Sequence, residues 1–126
     1  MTNISKSRTD SSEFKALHNE LIKTIADLNR TSAHAFFDEL FTASEQIMFI
    51  KRFSALIMFS KGYSPYKVWN VLHISPSTAQ RLYSKFESGT QPHLLEHCTE
   101  RTMPKLFIFI EKLIRSQGKD RWLLIN

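Results

Sequence analysis

Ser-Pro occurs twice, at Ser64-Pro65 and Ser75-Pro76, eleven residues apart, and this spacing constrains the fold more than any other feature of the 126-residue chain. A serine at an N-cap accepts a hydrogen bond from an orphan amide of the first helical turn, and proline suits the first helical position because it has no N–H to leave unsatisfied. Each pair therefore predicts a helix start. The first helix would turn Val68, Trp69, Val71 and Leu72 inward; His73, Ile74 and Ser75 would form the turn; the second would continue through Leu82 and Phe86 to Gly89. Two short helices so closely joined form the helix-turn-helix arrangement, in which the second offers its N-terminal residues to a groove.

Upstream, Phe14, Leu17, Leu21, Ile25 and Leu28 recur at helical spacing and predict a helix from Glu13 to about Asn29. A short second helix is expected over Ala33 to Phe41. Thr42 followed three residues later by Glu45 is a capping box, and it should open a third helix over Ala43 to Ser60. From Ile47 to Phe59 that helix leaves almost no polar face, so it must be buried on several sides, which argues for a second copy of the chain. Lys61 and Gly62 end it. After a linking stretch with a turn or two of helix near His93 to Cys98, Thr102 and Pro104 should open a last helix through Ile114. Phe107 to Ile110 could form a strand, but the apolar pattern continues in helical step. Gly118 ends this helix, and the apolar tail Trp122 to Ile125 is expected to dock. Residues 1–12 read as a flexible polar arm carrying Lys6 and Arg8, and 13–126 as a single all-α domain.

Charge sharpens the reading. The net +5 is not spread evenly, because the forty-one residues between Glu45 and Glu87 contain no carboxylate yet hold Lys51, Arg52, Lys61, Lys67, Arg81 and Lys85. Core burial accounts for the missing acids in the first half of this window. From Gly62 to Phe86 a phosphate-facing surface is the better account. On the second helix, Ala79, Leu82 and Phe86 pack inward and leave Ser77, Thr78, Gln80, Arg81 and Lys85 outside. Gln pairs with adenine, Arg with guanine or phosphate, and Ser or Thr with several base edges. The capping Ser75 and the start of the preceding helix, Ser64, Pro65, Tyr66 and Lys67, together with Lys61, complete the expected DNA contacts.

The stretch Leu40 to Leu82 resembles the Trp repressor family, through Leu40, Thr42, Glu45, Arg52, Gly62, Ser64, Leu72, Ser75, Thr78 and Arg81. The resemblance implies an all-helical intertwined homodimer, with one helix-turn-helix per subunit addressing successive major-groove turns. It also implies an effector position between Arg52 and Arg81, where ligand-responsive members hold an amino acid such as L-tryptophan. Those members have Gly after the second Arg to leave room; this chain has Leu82, so a ligand-independent repressor without cofactor is expected. His73 stands where many such turns have Gly.

Other functions have thinner support. His93 and His97 are spaced i, i+4 beside Cys98 and Glu96, too few ligands for a structural zinc. A phosphate loop, nucleophile elbow or HExxH is missing, so no enzyme is expected. One cysteine, a polar N-terminus without a signal-peptide core and no long apolar run predict a soluble cytoplasmic protein. Two alternatives remain: the DNA-binding subunit of a mobile-element or replication protein, and a protein-interaction module using the apolar C-terminal helix and tail.

Overall fold

The computed structural model describes residues 11–89 and 92–124, so residues 1–10 of the arm expected over 1–12 and Ile125 of the tail lie outside the described residues, while Ser11 and Ser12 belong to the start of the first helix. Among these, every regular element is helical. The chain divides into two compact units, one ending at Phe41 and the other beginning at Thr42.

The first unit holds α1 (Ser12–Ala26) and α2 (Arg30–Leu40). Ser11 caps α1 by accepting from the Phe14 amide at 3.1 Å. The sequence pattern runs α1 on to Asn29, but Asn29 instead caps α2: its Oδ1 accepts from the Ser32 amide while the Ser32 hydroxyl accepts from the Asn29 amide, both at 2.9 Å. This reciprocal cap outcompetes one more turn of apolar spacing, so α1 stops early and α2 begins three residues before the expected Ala33. Neither helix has a buried residue, and Phe14, Leu17, Leu21, Ile22, Ile25, Phe37 and Leu40 are all exposed.

The second unit is organised around α3 (Ala43–Ser60). Its capping box forms as the sequence predicts, with Thr42 accepting from the Glu45 amide and Glu45 from the Thr42 amide. Six consecutive residues, Ser54 to Phe59, are buried, which is the signature of a helix enclosed on all sides. The enclosing elements are α4 (Pro65–Leu72), α5 (Pro76–Glu87), α7 (Pro104–Arg115) and a 3-10 turn, Arg121–Leu124. Met48, Phe49 and Ile50, half a helix earlier, stay about half exposed. Burial of the apolar run within one chain is thus confined to its C-terminal half.

Ser64 and Ser75 cap α4 and α5 through the Lys67 and Thr78 amides, each with proline in the first turn. The short α6 (Pro92–His97) falls where a turn or two of helix is expected. Thr102 does not cap α7: its hydroxyl donates to the His97 carbonyl at 2.5 Å and accepts from the Thr99 amide, closing a Thr99–Thr102 turn, and α7 starts without a side-chain cap. The segment Phe107 to Ile110 lies inside α7, with Phe107 and Ile110 buried and Ile108 and Phe109 exposed. Gly118 has a positive φ of 75° where the chain leaves that helix. The tail docks through Leu123, which is fully buried, while Leu124 is exposed.

Candidate nucleic-acid interface

The orientation of α5 follows from its packing. Ala79 and Leu82 are buried, while Tyr83 and Phe86 stack around Phe59 of α3 with ring centroids 5.1 and 6.0 Å away. One face of the helix is therefore held against α3, and the opposite face carries Ser77, Gln80, Arg81 and Lys85, all exposed. Thr78 is half-buried because it belongs to the cap, where Ser75 donates to its hydroxyl at 2.8 Å and lies 3.2 Å from the Ser77 hydroxyl. Arg81 makes no ion pair among the described residues, so its guanidinium is available to an outside acceptor.

On α4, Tyr66 is exposed and meets Trp69 edge to face at 5.2 Å. Ser64 is exposed, Pro65 and Lys67 are half-buried, and Lys67 has no acidic partner among the described residues. Lys61, expected from the sequence to hold phosphate, is placed otherwise. Its Nζ forms an ion pair with Glu111 of α7, lies 3.9 Å from Glu100 and sits 5.5 Å above the Phe107 ring. The hydrogen bond to Glu111 raises the Lys61 pKa above its ordinary value, so the charge is committed inside the unit. Arg52 is exposed and lines a small cavity of about 160 Å³ with Glu45, Met48 and Phe49, with no Arg52–Glu45 ion pair. Leu82, next to Arg81, is part of the core cluster.

The turn between α4 and α5 is built on His73. His73 adopts a left-handed conformation, φ 54° and ψ 48°, so the turn takes a side chain in a region glycine occupies without cost. The imidazole Nε2 is 2.5 Å from the Gly118 carbonyl oxygen, a contact that ties the turn to the segment after α7. Lys51, buried at 2 % exposure, donates to the Leu123 carbonyl at 2.6 Å and approaches the His73 carbonyl at 3.4 Å. Burial lowers the Lys51 pKa by penalising its charged form. Counted with the basic window in the sequence, Lys51 is a strut beneath the turn. Its position as the first polar side chain after the run Ile47 to Ile50 was the available signal.

On and after α6, Cys98 is buried and burial raises its thiol pKa, which disfavours the thiolate. Among the described residues no group of three or more His, Cys, Asp or Glu is placed to hold a metal ion, and no helix is long and apolar enough to cross a membrane. Comparisons with family profiles, with curated proteins and with solved structures find no match to this chain.

Proposed function

We propose that this chain is a homodimeric, sequence-specific DNA-binding regulator, most simply a repressor, in which α4 and α5 form a helix-turn-helix and α5 reads the major groove. The observation that carries the reading is the exposed face of α5: Ser77, Gln80 and Arg81 project from a helix whose other face is locked to the core, inside a stretch without carboxylates. Base-reading groups on a rigid support are what direct readout requires. Lys67 and the start of α4 would hold phosphate, with Lys85 at the far end of α5.

A second copy is part of the proposal. The apolar side chains of α1 and α2, and Met48, Phe49 and Ile50 at the start of α3, are more than a soluble surface usually leaves open. This agrees with the intertwined homodimer implied by the Trp repressor resemblance. The reading of a repressor that works without an amino-acid effector rests on Leu82 standing where ligand-responsive members of that family have Gly. Saturable heat on titration with L-tryptophan would overturn that part.

Selection of genomic fragments by the purified protein tests the main reading: enrichment of a short motif with two half-sites about one helical turn apart is expected. Retention of all fragments alike would favour a general binder, such as a subunit of a replication or mobile-element machine. The apolar groove between α3 and α7, lined by Ile50, Phe53, Leu106, Phe109 and Trp122, favours a second reading as a protein-interaction module. Absence of duplex binding in a mobility shift would select it.

A further inference from the structure

The segment that follows α7 is strapped across the turn between α4 and α5. Gly118 lies so close that a Cβ there would stand 2.6 Å from the Val71 carbonyl oxygen, 2.8 Å from that of Asn70 and 2.9 Å from His73 Nε2. Its own carbonyl meets the His73 ring, and five residues on the Leu123 carbonyl is held by Lys51, whose ammonium also approaches the His73 carbonyl. Both ends of the strap are thus fixed at one place, and His73 is only three residues before Pro76, at most about 11 Å of chain from the start of α5.

Between those two anchors stand Lys119 and Arg121. Both are exposed, and neither takes part in an ion pair among the described residues, whereas Lys61 does. Asp120, between them, is half-buried and lines the groove between α3 and α7. The facing elements, α4 and α5 up to Phe86, contribute no carboxylate. In sequence these two cations lie more than thirty residues beyond the basic window, yet they stand on a segment whose flanking residues, Gly118 and Leu123, are held at its turn.

We infer that the strap from Gln117 to Leu124 is a second phosphate-contacting element, with Lys119 and Arg121 gripping the duplex backbone beside the groove that α5 enters; this rests on the helix-turn-helix reading above. Phosphate contacts of this kind fix register and orientation without reading sequence. Lys51 and His73 are positioning residues, since they hold the strap and touch no nucleic acid.

The test measures binding of the full chain to a mixed-sequence duplex as a function of salt. Replacing both cations, Lys119→Ala with Arg121→Ala, is expected to lower the slope of log K against log[salt] by about 1.8 per subunit, with thermal unfolding unchanged. The charge-matched control, Arg101→Ala with Lys105→Ala, removes two exposed cations near the far end of α7, about 18 Å along that helix, and should change the slope by much less. Lys119→Arg with Arg121→Lys should keep the wild-type slope, which separates a charge effect from a folding defect. A slope unaltered by the strap variant but lowered by Lys67→Ala overturns the strap alone. An equal fall in the Arg101 and Lys105 control also overturns it, as a general charge effect. Failure of the wild-type chain to bind duplex overturns both the strap and the helix-turn-helix reading.

Discussion

The ammonium of Lys51 on α3 donates at 2.6 Å to the carbonyl of Leu123, joining positions 72 residues apart at the base of the turn between α4 and α5. A buried lysine normally costs folding energy, and the lowered pKa records that cost. Here the ammonium meets the carbonyl of His73 in the turn and that of Leu123 near the end of the 3-10 turn.

Replacing Lys51 with Met should therefore destabilise the protein by about 1–3 kcal/mol, the cost of leaving a buried carbonyl unsatisfied offset in part by removing a buried charge. Denaturant unfolding measures the loss, and hydrogen exchange should show Trp122 to Leu124 opening first. Unchanged stability would mean that the Leu123 carbonyl needs no protein donor.

Gly118 and Gly89 both have positive φ, 75° and 70°, but only Gly118 is crowded. Gly89→Ala should cost about 1 kcal/mol through backbone strain alone. Gly118→Ala must also push against two backbone oxygens, so a distinctly larger loss is expected. Equal losses from the two variants would show that the strap yields freely.

At His73, a glycine substitution removes left-handed strain of about 1–2 kcal/mol and also removes a hydrogen bond worth about 1 kcal/mol. The two effects nearly cancel, so His73→Gly should unfold close to the wild type. His73→Val keeps the strain, adds β-branching and loses the bond. A thermal scan that ranks Val at or above Gly would contradict this account.

The Lys61–Glu111 pair gives a pH signature. Because the folded state raises the Lys61 pKa, its contribution is fully present below the ordinary lysine value of 10.5 and is lost as pH rises through the higher folded value. On the alkaline side of neutrality, the stability difference between wild type and Glu111→Gln should accordingly persist until the pH passes the ordinary lysine value and shrink beyond it. A difference that persists unchanged once the lysine has lost its proton would point to packing by Glu111 instead.

The proposed dimer makes a hydrodynamic prediction. The chain of 14.7 kDa should sediment as about twice that mass, and Leu21→Glu with Ile25→Glu should convert it to monomer, since each places a charge on the apolar side of α1. A wild-type monomer would remove the second copy from the proposal.

Local signals were legible in the residues themselves. Ser64-Pro65, Ser75-Pro76 and the Thr42–Glu45 box set helix starts because an N-cap needs only side chains within three residues. Asn29 goes against the apolar pattern for a related reason: the spacing that includes Leu28 favours one more turn, and only the reciprocal Asn29–Ser32 bonds decide against it. The outer face of α5 was equally readable, since Ala79 and Leu82 fix which side goes inward.

By itself, then, the sequence determined an all-helical chain, its helix starts and an acid-free stretch around α4 and α5. The tertiary structure decided which cations remain available. It committed Lys61 to Glu111, buried Lys51 beneath the turn, and anchored at that turn Gly118 and Leu123, the residues that flank Lys119 and Arg121. Helix caps depend on neighbours in sequence, whereas the partner of a charge depends on which distant element folds beside it, and only three-dimensional packing makes that choice.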